Sequence, residues 1–319
     1  MIISVALCTY NGERYIREQV QSILNQTMRI DEIVVCDDGS KDNTLTLIQE
    51  IVKTTDVRIR IYKNEKPLGV KWNFKKAIEL CTGDYVFLSD QDDYWMPNKV
   101  ETIMTWFVEH PDKSVVFTDA YLVDENRNRY EGRTQFQGVG FRKLQQEMVL
   151  NGHGLEVFMM GNRATGATMA FRKASVEMSD DDWGTILHDE YIAVKALMKG
   201  ELGFIIEPLI EYRQHAKQQV GSSISDKEIE SVYGDWHFFD PARSLEHIRN
   251  WRFEQNEQLM NHISMLNKRG KMRHSVNGIC EEFKAIKAYR NIYGPYWKRY
   301  CKADMRKTMG HIWHQVVKS

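Results

Sequence analysis

Short apolar runs alternate with amphipathic segments along the first 120 residues of this 319-residue chain. The runs are rich in β-branched residues, and the segments between them carry apolar residues at helical spacing, as at Ile16, Val20 and Ile23. A strand followed by a helix, repeated several times, predicts an α/β fold with a mostly parallel sheet, right-handed crossovers and helices on both faces. The predicted strands are residues 2–8, 32–36, 57–62, 84–89 and 114–118, and the predicted helices are residues 13–26, 42–52, 72–80 and 99–108.

Polar residues follow each of these predicted strands. Ligands of such sheets bind outside the carboxyl ends of the strands, so we expect one cleft to collect these residues. Carboxylates crowded at one edge repel each other unless a cation or a hydroxyl-rich ligand lies among them. The residues are Thr9, Tyr10 and Asn11, then Asp37 and Asp38, then Asn64, then Asp90, Gln91, Asp92 and Asp93, and finally Asp119.

The segment Asp90-Gln91-Asp92-Asp93 is the strongest motif in the chain. Carboxylates two positions apart at the end of a strand can project into one pocket, where Mg²⁺ or Mn²⁺ would bridge them to a diphosphate. A calcium loop of the EF-hand type is a weaker interpretation, because its sixth position would be Trp95 where the sharp turn requires glycine. A solvated acidic turn that caps the next helix is the other alternative.

Four motifs occur in the order that is typical of a known enzyme family. They are residues 5–12 (VALCTYNG), residues 34–42 (VVCDDGSKD), Leu68-Gly69 with Asn73, and residues 88–93 (LSDQDD). In this pattern the chain resembles family-2 glycosyltransferases of the GT-A fold, and especially bacterial rhamnosyl- and hexosyltransferases that build capsule or lipopolysaccharide glycans. The resemblance continues through residues 165–169 (TGATM), 188–190 (HDE) and 212–215 (YRQH).

The resemblance implies which residues hold the nucleotide. Thr9, Tyr10 and Asn11 would line the base and the ribose, and Asp38 would hydrogen-bond the base. This role is chemically reasonable, because a carboxylate can accept a hydrogen bond from the N–H of uracil or thymine. Residues 37–40 also fit a turn that leads into a capped helix, and both interpretations can hold together.

The resemblance also implies a metal and a sugar subsite. Asp92 would be the main ligand of Mg²⁺ or Mn²⁺, and Asp90 would contact the ribose or the metal. Gln91 and Asp93 would contribute to binding of the nucleotide sugar, with Asp93 near the sugar itself. His215 would lie near the metal or the diphosphate, although a single histidine is often a structural hydrogen-bonding residue.

Inverting transfer of a sugar needs a general base on the acceptor side of the cleft. The family position that acts as the base matches Asp189, with Glu190 as the second choice. The alternative is an ordinary helix N-terminus, where acidic residues are favoured by the helix dipole.

These assignments predict an inverting, metal-dependent glycosyltransferase that uses a nucleotide-activated hexose. We expect a UDP-sugar, with dTDP-rhamnose as the alternative, and an acceptor that is a saccharide or a lipid-linked saccharide. A sugar nucleotidyltransferase is the main competing enzyme, but residues 9–13 (TYNGE) lack its Gly-rich, basic phosphate loop. A glycan- or nucleotide-binding module that has lost catalysis is the non-enzyme alternative. A dinucleotide-dependent oxidoreductase is excluded, because the chain has no GxGxxG motif.

The predicted organisation is a catalytic domain over residues 1–218, a linker over 219–239 and a basic, aromatic-rich helical region over 240–319. Within the catalytic domain, residues 1–120 would bind the nucleotide sugar and residues 121–218 the acceptor. Residues 268–319 contain 13 Lys and Arg against 3 Asp and Glu, whereas the rest of the chain contains 30 against 41. The basic region would bind an anionic membrane surface or pack against the acidic domain. No recognisable module for nucleic acid is present.

The expected location is the cytoplasm, with a peripheral position on the inner face of the cell membrane as a further expectation. No run of 18 uninterrupted apolar residues is present, and the N-terminus lacks the pattern of a signal peptide. The five cysteines are odd in number and widely spaced, which is typical of reduced thiols.

Overall fold

The computed structural model describes residues 1–152, 154–158, 161–178, 187–215 and 218. The predicted linker (219–239) and the predicted basic helical region (240–319) lie outside the described residues. The helices Lys143–Leu150 and Gly154–Phe158 belong to a second compact unit that includes residues 141–161, and they contact each other.

A single sheet contains the nine strands of the described residues. The strands are β1 (Ile3–Thr9), β2 (Glu32–Asp37), β3 (Arg58–Lys63), β4 (Tyr85–Ser89), β5 (Tyr94–Trp95), β6 (Val115–Val123), β7 (Arg129–Thr134), β8 (Met169–Arg172) and β9 (Leu202–Arg213). Their order in the sheet is β3-β2-β1-β4-β8-β6-β9-β5, with β7 paired to β6. The pairs among β1, β2, β3 and β4 are all parallel.

Helices connect the parallel strands, as the alternating pattern predicts. The predicted α/β class is confirmed, since the sheet is mostly parallel in its first half and is flanked by helices. The predicted ranges differ from the observed ones by a few residues at each end. The helices are α1 (Ile16–Leu24), α2 (Thr44–Val52), α3 (Val70–Leu80), α4 (Lys99–Glu109), α5 (Gln135–Gly138), α6 (Lys143–Leu150), α7 (Gly154–Phe158) and α8 (His188–Met198).

The core lies on both faces of the central strands. Every residue of β1 and β2 is buried, which explains why these strands are continuous apolar runs and do not alternate. On α1 the stripe Ile16, Val20 and Ile23 is fully buried against this core. Burial of each such side chain stabilises the fold by roughly 1.5–3 kcal/mol. The carboxyl ends of the parallel strands are thereby fixed on one edge of the sheet.

The second half of the sheet differs from the prediction. The antiparallel strand β8 lies between β4 and β6. The sequence of residues 165–171 (TGATMAF) predicts one strand, but a 3₁₀ turn (Gly166–Thr168) occupies its first part and only Met169–Arg172 is extended. Strand β6 continues to Val123, because its later residues pair with β9, so Asp119 lies within a strand and not after one. The prediction that one cleft collects Asp119 is therefore wrong: its Oδ1 accepts from the backbone N–H of Phe136 at 2.8 Å.

Within the described residues, no helix is long and apolar enough to cross a membrane. Three of the five cysteines (Cys8, Cys36 and Cys81) fall in this part of the chain, and all three are buried free thiols. Burial raises the pKa of Cys36 to about 11 and that of Cys81 to about 12, so both remain protonated packing residues.

Candidate active site

A cleft of about 490 Å³ opens at the carboxyl ends of β1, β2 and β4. The start of α3, the turn Gly166–Thr168 and the start of α8 form its other walls. This volume is in the range of ordinary small-molecule sites. Its lining residues include Thr9, Tyr10, Asp38, Asn73, Phe74, Asp90, Gln91, Asp92, Thr165, Gly166, His188, Asp189 and Tyr212.

The loop after β4, residues 90–93, places its three carboxylates differently. Asp90 and Asp92 line the cleft, whereas Asp93 is buried behind it, where its Oδ1 accepts from the backbone N–H of Arg213 at 3.1 Å. Oδ2 of Asp93 is buried with no hydrogen-bond partner among the described residues. Burial, followed by the charges of Asp92 and Asp189, raises the pKa of Asp90 to about 8. In the absence of a cation, the site therefore favours the protonated form of the Asp90 carboxyl group at neutral pH.

Arg213 holds this acidic loop in place. Its side chain is 3% exposed, and its Nε donates to the backbone oxygen of Asp92 at 2.7 Å, while Nη2 pairs with Oε2 of Glu18 at 2.6 Å. Two residues later, Nε2 of His215 lies 2.7 Å from Oδ2 of Asp92. The end of β9 thus anchors the loop. The motif YRQH marks this position in the sequence, but the anchoring role of its arginine was not predicted.

Asp38 lines the cleft and also orders its rim. Oδ1 accepts from Nδ2 of Asn64 at 2.8 Å and from the N–H of Leu68 at 2.7 Å, and Oδ2 accepts from the N–H of Gly69 at 2.9 Å. A carboxylate has about four acceptor positions, so capacity remains for one ligand donor. Gly69 has a φ of +79° and a ψ of 161°, a conformation that only glycine adopts readily.

The segment that follows β1 divides between the cleft and the next loop. The hydroxyl of Thr9 donates to Oδ2 of Asp37 at 2.9 Å. Tyr10 is 45% exposed at the cleft, and its backbone N–H and oxygen both hydrogen-bond the side-chain amide of Gln91. Asn11 is not among the lining residues, because its Oδ1 accepts from the backbone N–H of Lys41 at 2.9 Å. Thr9 and Tyr10 can contact a ligand directly, and Asn11 supports the loop beside them.

Asp189 lies on the wall opposite the parallel strands. Its Oδ2 accepts from the N–H of Gly166 at 3.0 Å, and its Oδ1 accepts from the N–H of Glu190 at 2.7 Å. Burial raises the pKa of Asp189 to about 7, which suits a group that takes a proton near neutral pH. Glu190 is buried and does not line the cleft.

His188 is a cleft residue that the sequence analysis did not assign. Its ring stacks on Phe74 with centroids 3.9 Å apart, and neither ring nitrogen has a hydrogen-bond partner among the described residues. Burial lowers the pKa of His188 to about 3, so the ring is neutral. The sequence feature that could have identified His188 as a cleft residue is its position directly before Asp189.

The residues at the acidic loop fit a divalent cation by their chemistry. Carboxylate oxygens are the ligands that Mg²⁺ and Mn²⁺ prefer, and a cation beside Asp90 and Asp92 would favour their ionised forms. In the part of the chain that the structure describes, no group of three or more His, Cys, Asp and Glu side chains is already placed to hold a metal ion. Asp90, Asp92 and His215 are therefore candidate ligands and do not form a complete shell.

A parallel-to-mixed sheet with an acidic loop after its fourth strand and a carboxylate on the opposite wall is the GT-A arrangement. The sequence profile described as Glycosyl transferase family 2 matches residues 4–173, more than half of the chain. The chain belongs to this family.

The relatives give the extent of the similarity. Chondroitin synthase of Escherichia coli is 27% identical over 80% of this chain, and dTDP-rhamnosyl transferase RfbG of Shigella flexneri is 27% identical over 69%. The chain spans 37% of the length of the first and 75% of the second. It spans 32% of a Haemophilus influenzae glycosyltransferase that is 40% identical over 105 residues.

Solved structures show the same fold at low identity. Residues 1–349 of TarS from S. aureus, in complex with UDP-GlcNAc, match 92% of this chain and 82% of that chain with a TM-score of 0.55 and 17% identity. A mannosyltransferase from Pyrobaculum calidifontis, in complex with GDP-Man and Mn²⁺, matches 93% of this chain and 87% of that chain with a TM-score of 0.50 and 15% identity. These likenesses support the GT-A fold.

Proposed function

We propose that this chain transfers a hexose, with inversion, from a nucleotide sugar to a hydroxyl group of a saccharide or lipid-linked saccharide. The observation that supports this most directly is the cleft itself. Asp90 and Asp92 lie on one wall and Asp189 lies on another, around a volume suited to a small-molecule donor. Membership of the family agrees with this chemistry.

The proposed donor site lies between the loop after β1 and the rim that Asp38 orders. The remaining acceptor position on Asp38 would take the N–H of a pyrimidine base. Tyr10 would present its exposed ring to the base or the ribose. A UDP-sugar is our first choice. The similarity to a dTDP-rhamnosyl transferase makes dTDP-rhamnose the alternative, since Asp38 reads uracil and thymine alike.

In the proposed reaction Asp189 is the general base. Its carboxylate would remove the proton from the acceptor hydroxyl, whose oxygen forms a bond to the anomeric carbon of the donor sugar. The bond from that carbon to the diphosphate oxygen breaks, and the nucleoside diphosphate leaves with the electron pair. Glu190 remains the second choice, although its side chain is set back from the cleft.

We propose Mg²⁺ or Mn²⁺ as the cofactor, held by Asp92 with Asp90 and with His215 beside it. Such an ion would neutralise the charge on the leaving diphosphate. The chain's own contribution is to fix the acidic loop, through the bonds of Arg213 to the backbone of Asp92 and to Asp93. His215 holds Oδ2 of Asp92 and would release it, or share it, when an ion binds.

The proposed setting is the synthesis of a bacterial cell-surface polysaccharide. Two bacterial relatives, named as a chondroitin synthase and a dTDP-rhamnosyl transferase, support a role in glycan synthesis. We further propose a cytoplasmic protein that associates with the inner face of the membrane through its basic residues 268–319. Attraction to anionic lipid contributes up to about 1 kcal/mol for each basic residue near the surface.

The test is a panel of UDP-, dTDP- and GDP-sugars with Mg²⁺ or Mn²⁺ and candidate acceptors, with release of nucleoside diphosphate as the readout. Turnover with one donor class is the expected result. Release of pyrophosphate from a nucleoside triphosphate and a sugar 1-phosphate would favour a nucleotidyltransferase instead. Binding of a donor without turnover under any metal, with all acceptors supplied, would favour a silent binding module.

A further inference from the structure

The lysine at the start of α4, Lys99, is fully buried, with an exposed fraction of 0%. This is an unfavourable place for a lysine for two reasons. Burial of an ammonium group is costly, and a positive charge at a helix N-terminus opposes the helix dipole. An apolar side chain would fill the same space in the core at a lower cost in free energy. A lysine at this position therefore suggests a specific role.

The neighbours of the Lys99 amine belong to the turn before β8, to β5 and to the acidic loop. Nζ donates to the backbone oxygen of Ala167 at 2.8 Å and lies 3.8 Å from the centre of the Trp95 ring. Asp93 and Asp90 act on the same ammonium group electrostatically, and they oppose the effect of burial, which lowers the pKa of Lys99 to about 7. The amine therefore lies between the acidic loop and the turn that precedes β8.

That turn carries a donor to the candidate base. Ala167 is the middle residue of the turn Gly166–Thr168, and the N–H of Gly166 donates to Oδ2 of Asp189. The Lys99 amine is thus hydrogen-bonded to the turn that orients Asp189, and the carboxylates of the acidic loop act on it through their charge alone. Lys99 therefore couples the acidic loop to the turn by one hydrogen bond and by electrostatic attraction.

We propose that Lys99 is a positioning residue that fixes the general base relative to the acidic loop. The inference rests on the proposed function. By fixing the base, Lys99 would set the distance between the acceptor hydroxyl and the donor sugar. Lys99 does not line the cleft and therefore does not touch the reacting atoms. A displacement of about 1 Å in such an arrangement can lower the rate by on the order of 10²-fold.

The effect on pH dependence has a definite sign. The hydrogen bond from Gly166 lowers the pKa of Asp189, in opposition to burial. Loss of the Lys99 amine would loosen the turn and weaken the hydrogen bond from Gly166, so the pKa of Asp189 would rise further. Among the described residues, other charged or titratable groups near Asp189 are His188 and Glu190 on its own helix, Asp90 in the acidic loop and Tyr212 on β9.

The experiment compares Lys99→Met, Lys99→Ala and the control Lys75→Met with the wild-type chain. Lys75 is also largely buried, it does not line the cleft, and it forms an ion pair with Glu79 one turn later on α3. Circular dichroism and thermal unfolding establish that each variant is folded. For Lys99→Met we expect kcat lowered by on the order of 10²-fold, KM for the nucleotide sugar close to wild type, and the acid limb of kcat/KM moved to higher pH. For Lys75→Met we expect no change in any of them.

A second readout is chemical rescue. In Lys99→Ala, a small primary amine such as propylamine would occupy the space left by the side chain and restore part of kcat, whereas a neutral alcohol of the same size would not. If the folded Lys99 variants keep the wild-type kcat and acid limb, or if both variants fail to fold, the proposal is overturned. If the wild-type chain itself releases no nucleoside diphosphate, the proposed function fails, independently of Lys99.

Discussion

Replacement of Asp189 by asparagine tests the proposed base with little disturbance of its surroundings. The Oδ1 of asparagine can still accept from the N–H of Gly166, while its NH₂ group replaces the oxygen that accepts from Glu190. The side chain thus keeps one of its two hydrogen bonds and loses its basicity. General-base catalysis contributes typically 10²–10⁴-fold. We therefore expect kcat to fall by at least on the order of 10²-fold, which corresponds to about 2.7 kcal/mol of transition-state stabilisation.

The pH profile of the wild-type chain gives an independent check. Because the pKa of Asp189 is raised to about 7, the base is ionised above this pH and becomes protonated below it. We expect kcat/KM to fall tenfold per pH unit on the acid side of this value, and the Asp189→Asn variant to lose this limb. If the base had the pKa of a carboxylate in water, near 3.9, kcat/KM would stay constant down to a much lower pH.

The assays are release of nucleoside diphosphate for kcat and calorimetric titration for donor affinity. Donor affinity should stay near wild type, since the lost interaction matters chiefly in the transition state. Asp112→Asn, at an exposed ion pair with Lys113, is the matched control and should leave both quantities unchanged. The assignment is falsified if Asp189→Asn keeps a near-normal kcat, and the base would then move to Glu190.

Three further predictions concern the metal, the rim and the basic region. Asp92→Ala should abolish metal-dependent turnover and weaken metal-dependent donor binding. The measurement is donor titration with and without Mg²⁺. If Mg²⁺ still strengthens donor binding in the variant, Asp92 is not a metal ligand. Gly69→Ala should lower the free energy of unfolding by about 1–3 kcal/mol. Backbone strain alone would cause this loss, since no atom lies within 4 Å of the added Cβ. A loss below about 0.5 kcal/mol in denaturant titration would contradict this prediction. The full chain should co-sediment with anionic vesicles at low salt and leave them at high salt, because the attraction is screened; equal pelleting with neutral vesicles would argue against it.

Strands β1, β2 and β4 were predictable because almost all of their residues are buried. Apolar runs such as residues 33–36 differ clearly from the amphipathic segments between them. Strand β7 was missed, because its sequence (RYEGRT) is polar and does not alternate, and its pairing to β6 alone defines it as a strand. Strand β5 has two residues and no local signal at all.

In the candidate site, the sequence was enough to name the residues at the strand ends, but it did not show which way their side chains point. Asn11 follows β1 as predicted, yet its side chain is bound by the next loop. The buried cations Lys99 and Arg213 were missed, because a charged residue normally predicts exposure. Only the three-dimensional neighbourhood shows which carboxylates and carbonyls hold them.

The position of β8 sets an order for assembly of the sheet. Strands β4 and β6 are complete by residue 123, but they do not pair with each other, and the slot between them is filled by residues 169–172. A chain that ends near residue 120 would expose one unpaired edge on β4, and such an edge is a template for aggregation. During synthesis the acidic loop lacks its anchor until Arg213 has emerged. The half that would bind the donor is thus not an independent folding unit, and the site becomes complete only after the half that would bind the acceptor has been made.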